Sequence, residues 1–160
     1  NVLGIYQNIW DRYRNVIGIF IRKTLNGIPI LVYGDGEQTR AFSDIQYYME
    51  PFDLLHNEFD GEIFNIGADK YFSLNEVAET VQKVGKKYGY EVPIEHGEPR
   101  HEVKHAYCDH TKAKTMLKFQ DGTHLEELVE TIFVWAMKQP NRKVKDMEYE
   151  VTKDIYDYWK

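Results

Sequence analysis

Two short stretches of the chain carry the residue types that bind phosphate-containing ligands. The first, residues 33–42, combines Gly34 and Gly36 with Arg40 and Phe42. The glycines let backbone amides approach a ligand closely, the Arg40 guanidinium presents a planar fork of donors to phosphate oxygens, and the Phe42 ring can pack beside another ring. The alternative is a hairpin turn with a solvated arginine, which the residues alone favour because such turns are common.

The second stretch, residues 98–105, places Arg100 and Glu102 close to two histidines. Arg100 can clamp a diphosphate, and Glu102 can accept hydrogen bonds from ribose hydroxyls. A solvated charged loop is the alternative interpretation. His101 and His105 have the four-residue spacing of some metal sites, but the surrounding pattern predicts a strand and no third ligand stands at a recognisable spacing. We therefore predict no metal site.

Composition excludes several classes of function. The 160-residue chain is 42% hydrophobic and has a formal net charge of −6 with no basic stripe, so we predict no nucleic-acid partner. Its single cysteine, Cys108, cannot form an internal disulfide and is more simply a small core residue than a nucleophile. No apolar run approaches the roughly twenty residues that cross a bilayer. We expect a cytoplasmic protein without a membrane partner.

The elements that must position the two stretches are predicted by hydrophobic periodicity and by turn residues. A helix is expected within residues 12–25, ended by Asn26-Gly27, and a strand at 28–33 leads into the Gly34-Asp35-Gly36 turn. The remaining predicted elements are an extended piece at 40–45, a helix at 44–56 bent or ended in its first half by Pro51, strands at 62–67, 92–95 and 103–108, and helices at 74–88, 112–117 and 125–139.

Capping signals mark where three of these helices begin. Ser73 with Glu76 and Thr123 with Glu126 both have the spacing of a capping box, and Asp109 is expected to cap the short helix. Residues 1–139 are predicted to form one body, followed by a tail at 140–160 that is expected to be an amphipathic helix. The order of elements predicts a small mixed α/β domain and not a doubly wound sheet. No Gly-x-Gly-x-x-Gly follows a strand, as dinucleotide binding would require.

Taken in order, these motifs resemble the extended short-chain dehydrogenase/reductase family, the NAD-dependent nucleotide-sugar epimerases and dehydratases. The resemblance reaches to about Gln139. Its motifs are Asn-Val-Leu-Gly at 1–4, Gly-Asp-Gly-Glu-Gln-Thr-Arg-Ala-Phe at 34–42, Phe-Asn-Ile-Gly at 64–67 with Ser-Leu-Asn-Glu at 73–76, and Arg-His-Glu at 100–102 with Asp-His-Thr-Lys-Ala at 109–113. Ala41 stands where the family has aspartate, and the Arg-His-Glu turn is one residue shorter than the family's Arg-Pro-Gly-Asp.

The resemblance implies a sugar-nucleotide site built from these motifs. It assigns the diphosphate to Arg40 and Arg100, the base to the strand before the glycine turn, and the ribose to Glu102. It also places two asparagines, Asn1 and Asn15, against the nucleotide. The complete set of predicted substrate-binding residues is Asn1, Asn15, Leu31, Val32, Tyr33, Arg40, Phe42, Arg100 and Glu102.

The resemblance further implies that this chain is the carboxy-terminal part of a longer enzyme, lacking the Rossmann sheet. The chain has no initiator methionine, and we expect the Rossmann half, with the NAD site and the catalytic Tyr-x-x-x-Lys pair, to precede Asn1. We predict no catalytic or cofactor-binding residue here, and a homodimeric parent. The first hypothesis is a UDP-glucose 4-epimerase-like enzyme binding a UDP-sugar for hydride transfer. The alternatives are a 4,6-dehydratase of the same family and a non-catalytic sugar-nucleotide-binding module.

Overall fold

Short strands and helices follow one another along the chain. The structure, a computed structural model, describes residues 1–11 and 15–142, except for the side chains of residues 56–58. The predicted helical tail lies outside this part from residue 143 onward. The elements are β1 (Val2–Leu3), α1 (Val16–Leu25), β2 (Ile30–Tyr33), β3 (Thr39–Ala41), β4 (Ser43–Asp44), a 3-10 helix (Ile45–Tyr48), α2 (Met49–Glu58), β5 (Tyr71–Ser73), α3 (Leu74–Lys87), β6 (Ile94–Gly97), β7 (His105–Ala106), α4 (Thr111–Met116) and α5 (Leu125–Met137).

The strands form three small sheets in the described chain. β1 pairs with β4 and β2 pairs with β6, both in parallel, while β3 lies between antiparallel β5 and parallel β7. The prediction of a small mixed α/β domain is confirmed. β6 begins two residues later than predicted, directly after Pro93, which has no amide proton to donate to the β2 strand although its carbonyl accepts from the Ile30 amide.

Side chains cap the amino-terminal ends of α1 and α3; the cap at α3 and the Asn26-Gly27 end of α1 are predicted by the sequence, whereas the Asn15 cap is not. The Asn15 side chain accepts a hydrogen bond from the Gly18 amide at 3.0 Å, and the chain leaves α1 through Gly27, whose φ is 68°. At α3 the capping box is complete, since the Ser73 amide donates to the Glu76 carboxylate at 2.7 Å and the Glu76 amide donates to the Ser73 hydroxyl at 3.2 Å. Such caps satisfy amides that have no partner inside the helix.

The predicted capping box at α5 is wrong. The Thr123 hydroxyl donates to Asp121 at 2.6 Å and accepts from the Asp44 amide at 3.0 Å, so it joins two loops instead of capping the helix. His124 is the N-cap and makes no side-chain cap bond. The short helix α4 begins at Thr111, whose amide donates to the Asp109 carboxylate at 2.8 Å.

The predicted strand at residues 62–67 is also wrong. These residues belong to no strand, because no described strand lies beside them to pair with their backbone. Two side chains reach their carbonyls, the Tyr48 hydroxyl donating to Ile66 at 3.0 Å and Lys112 donating to Ile63 at 2.9 Å. The Ile63 side chain is 83% exposed, whereas the side chains of Phe64 and Ile66 are partly buried against a smaller apolar cluster.

The main core lies between α1, α3, α5 and the β2–β6 pair. α1 packs on both other helices, and its fully buried side chains meet Val81 of α3 and Phe133 of α5 in one cluster. A smaller cluster around Leu117 and Phe119 packs under α2. The predicted helix at 44–56 is two helices, with Pro51 in the first turn of α2, where a missing amide proton costs nothing. No helix in the described chain is long and apolar enough to span a membrane.

Candidate functional site

The parallel pairing of β2 and β6 brings the two chemistry-bearing stretches together. Tyr33 and Gly97 pair at the carboxyl ends of the two strands, and the Gly34 amide donates to the Gly97 carbonyl at 2.9 Å. The loops that follow, residues 34–38 and 98–104, therefore leave the same edge. In open α/β sheets this is the edge at which ligands bind.

A cleft of about 810 Å³ opens between these loops. The Arg100 guanidinium lies over the Tyr33 ring with its central carbon 3.3 Å from the ring centroid. Gln38, His96 and Glu102 also face the cleft. The cleft thus combines an aromatic ring with charged and amide groups, a mixture of apolar and polar lining that is typical of small-molecule sites.

The glycine turn at the mouth of the cleft is held from below by Asn75, the second residue of α3. The Asn75 side chain donates to the Asp35 carbonyl at 2.9 Å, and its backbone amide donates to the Gly36 carbonyl at 3.2 Å. A Cβ atom on Gly36, whose φ is 74°, would lie 2.0 Å from the Asn75 side-chain oxygen. The same oxygen lies 3.0 Å from His96 Nε2. Sequence reasoning missed Asn75 and His96, although Asn75 lies inside the predicted capping box.

Arg40 and Glu102, which the sequence assigned to different parts of a ligand, form an ion pair with each other. One Arg40 terminal nitrogen lies 2.8 Å from a Glu102 carboxylate oxygen, and the other donates to the Thr39 carbonyl at 2.8 Å. Arg40 is not among the residues that line the cleft, whereas Glu102 is. The structure therefore brings Tyr33, Arg100 and Glu102 to the cleft and places Arg40 behind Glu102.

Two predicted ligand contacts have buried side chains. Val32 and Phe42 are both 0% exposed and belong to the main core. Val32 points inward because alternate residues of a strand face opposite sides, which leaves its neighbours Leu31 and Tyr33 partly exposed. In this arrangement Phe42 offers no surface to a ligand.

The two predicted asparagines lie apart from the cleft lining. Asn1 is exposed, and its carbonyl accepts from the Ser43 amide at 3.1 Å as part of the β1–β4 pairing. Asn15 caps α1 and donates to the Gln7 side chain at 2.8 Å. Neither side chain contributes to the cleft.

A second polar cluster lies at α4, outside the cleft. The Asp69 carboxylate contacts His110 at 2.6 Å and Lys114 at 2.5 Å. The hydrogen bond from Lys114, aided by that from His110, lowers the pKa of Asp69 below its usual 3.8. These contacts join the segment before β5 to α4, which is a structural role. Within the described ranges no group of three or more His, Cys, Asp or Glu residues could hold a metal ion.

Comparison with known proteins gives one matching family. The model of the NAD dependent epimerase/dehydratase family matches residues 1–67. UDP-N-acetyl-alpha-D-glucosaminuronate decarboxylase of Bacillus cytotoxicus is 33% identical over 134 residues, which cover 81% of this chain and 42% of that protein. A putative UDP-glucose 4-epimerase of Methanocaldococcus jannaschii is 32% identical over 144 residues, covering 86% of this chain and 45% of that protein.

Comparison of the fold with solved structures finds proteins of the same family. A crystal structure of UDP-glucose 4-epimerase from Thermotoga maritima with UDP-glucose superposes with a TM-score of 0.76 at 26% identity. That superposition covers 85% of this chain and 43% of the epimerase. This chain thus spans less than half the length of the proteins it matches.

Proposed function

We propose that this chain, which belongs to the NAD-dependent epimerase/dehydratase family of extended short-chain dehydrogenases/reductases, binds the nucleotide part of a UDP-sugar for a UDP-glucose 4-epimerase-like enzyme. Because the chain spans less than half of its relatives, the activity of the whole enzyme is part of the proposal. The parent enzyme would oxidise and re-reduce a sugar carbon with NAD, and we expect it to be a homodimer.

The observation that carries the proposal is the Arg100–Tyr33 stack at the carboxyl ends of two parallel strands. A guanidinium stacked over an aromatic ring offers planar donors to phosphate oxygens beside apolar ring surface that can contact a base. The names of the relatives support UDP as the nucleotide, since both the decarboxylase and the putative epimerase are named for UDP-sugars.

The predicted contacts other than the buried Val32 and Phe42 have proposed roles in binding that ligand. Leu31 and Tyr33 would line the base and Arg100 would hold the diphosphate, with Arg40 joining it once freed from its ion pair. Glu102 would accept from the ribose. Neither Asn1 nor Asn15 lines the cleft. Their proposed contacts with the ligand therefore require a complex with the proposed Rossmann half.

The glycine turn of this chain does not fit the pyrophosphate of NAD. The Gly34-Asp35-Gly36 turn leads into strand β3 instead of into a helix, whose amino-terminal amides would bind a pyrophosphate. We therefore propose that a Rossmann half outside this chain holds NAD. The tyrosine–lysine spacing of the family's catalytic pair does occur here, at Tyr149 with Lys153 and at Tyr156 with Lys160, but all four lie outside the described residues. The absence of a catalytic residue stays a prediction.

The sibling functions share this site. A 4,6-dehydratase would bind its nucleotide sugar through the same residues, and the chemistry that separates it from an epimerase belongs to the proposed Rossmann half. A non-catalytic binding module would show the same nucleotide affinity without any dependence on that half. Measuring turnover of UDP-glucose and dTDP-glucose by the proposed whole enzyme, with its own Rossmann half, separates the three.

Calorimetric titration of the 160-residue chain tests the proposed binding. UDP and UDP-glucose are expected to bind with similar affinity, because the cleft recognises the nucleotide, and NAD is expected not to bind. ADP is the matched control, since it carries the same diphosphate and ribose on a larger base, and weaker binding is expected. Equal affinity for NAD and UDP-glucose, or binding of neither, would contradict the proposal.

A further inference from the structure

The positive charge of Arg40 is already neutralised by a carboxylate at the cleft. Its guanidinium makes three hydrogen bonds, to the carbonyls of Thr39 at 2.8 Å and Lys104 at 3.3 Å, and to Glu102 at 2.8 Å. The side chain of Arg40 is 15% exposed and that of Glu102 is 35% exposed. Glu102 therefore lies on the solvent side of the pair.

The other carboxylate oxygen of Glu102 accepts a hydrogen bond from Gln38, a buried residue that also lines the cleft. It accepts from the Gln38 side-chain amide at 3.2 Å, and the same amide donates to the Tyr33 carbonyl at 3.0 Å. Gln38 and Glu102 both line the cleft while Arg40 does not, so the carboxylate stands between the arginine and any ligand.

We propose that Glu102 makes this cleft selective for ribosyl diphosphates over free pyrophosphate. The inference rests on the proposed nucleotide site. A diphosphate that reaches Arg40 must displace Glu102, and the displaced carboxylate then repels the anion beside it. A nucleoside diphosphate compensates, because its ribose hydroxyls donate hydrogen bonds to the released carboxylate. Pyrophosphate has no ribose hydroxyls to compensate the carboxylate, so repulsion between the two anions weakens its binding.

The place of Glu102 in the chain keeps its carboxylate beside both Arg40 and the cleft. Glu102 lies two residues before Lys104, whose carbonyl also accepts a hydrogen bond from Arg40 at 3.3 Å, and three residues before β7. A side chain at this position can contact Arg40 without a ligand and turn toward the cleft when a ligand takes its place. Glu102 is a specificity residue in this scheme.

The test compares the affinities of UDP and inorganic pyrophosphate for the wild-type chain and Glu102→Gln, measured by calorimetry without divalent cations. Wild type is expected to prefer UDP. Glu102→Gln is expected to bind pyrophosphate about fivefold more tightly, the value of a partly exposed ion pair, while UDP affinity changes less. The ratio of the two affinities therefore falls. Glu102→Ala, which removes the competing group altogether, is expected to change the ratio in the same direction.

Glu98→Gln is the matched control, because Glu98 also lines the cleft but has no part in the Arg40 pair. It removes the same charge and is expected to change both affinities alike, leaving the ratio as in wild type. An unchanged ratio in both Glu102 variants overturns the selectivity. If UDP binds wild type and is lost in Arg40→Ala while that ratio stays unchanged, the nucleotide site survives and only the role of Glu102 fails. Absence of UDP binding to wild type overturns both.

Discussion

Replacing Phe42 by alanine is expected to lower the free energy of unfolding by about 3–5 kcal/mol, the usual cost of removing a buried phenylalanine ring. Phe42 is 0% exposed and belongs to the cluster that joins α1, α3 and α5. Truncation leaves a cavity that the packed helices cannot fill. Urea denaturation followed by circular dichroism measures the change.

Phe52→Ala is the matched control for this variant. Phe52 is 50% exposed on α2, so its truncation removes little buried area and is expected to cost less than about 1 kcal/mol. The family resemblance predicts a ligand contact for Phe42, and the structure predicts a core residue. Unchanged stability with weakened UDP binding in Phe42→Ala would favour the ligand contact and contradict the packing described here.

Arg100→Ala is expected to weaken UDP binding about thirtyfold, or about 2 kcal/mol, because hydrogen bonds to charged groups contribute about 1.5–3 kcal/mol. The variant also removes the cation from the Tyr33 ring. Arg100→Lys keeps the charge but loses the planar fork, so an intermediate loss of about fivefold is expected. Calorimetry with UDP measures both.

Arg142→Ala controls for the loss of a stacked arginine elsewhere. The Arg142 guanidinium lies 4.6 Å from the centroid of the Trp10 ring, and neither residue lines the cleft. Its removal is expected to leave UDP affinity unchanged. Equal losses in Arg100→Ala and Arg142→Ala would mean that the effect reports general damage to the fold and not a contact with the nucleotide.

Local signals in the sequence predicted those parts of the fold that depend on neighbouring residues. The prediction of the Ser73 cap is confirmed because Ser73 and Glu76, which bond to each other, lie within one helical turn. The same pattern at Thr123 failed because Asp121 and Asp44 compete for the hydroxyl, and Asp44 is 79 residues away in sequence. Periodicity alone carries no information about such distant partners.

The strand predicted at residues 62–67 failed for a related reason. Alternating apolar residues there are typical of a strand, but a strand also needs a neighbour, and the described chain supplies none. The Ile63 side chain in this segment is 83% exposed, while the side chains of Phe64 and Ile66 pack against the smaller cluster.

The candidate site was predicted in composition but not in arrangement. The stretches containing Tyr33 and Arg100 were recognised from residue types and family motifs, and β2–β6 pairing brings them together. The ion pair between Arg40 and Glu102 could not be predicted, since it spans 62 residues and depends on β3 lying beside β7. Asn75 was missed because its role is defined by the glycine turn packed on it.

The location of UDP-glucose on the chain tests the central claim most directly. In a titration followed by amide NMR of the 15N-labelled chain, the amides of Gly34, Asp35 and Gly97 are expected to shift in proportion to ligand bound, because all three line the cleft. NAD at equal concentration is expected to leave them unmoved. Shifts confined to residues away from the cleft, such as the segment 62–67, or equal shifts with NAD, would contradict a nucleotide-sugar site at the carboxyl ends of β2 and β6.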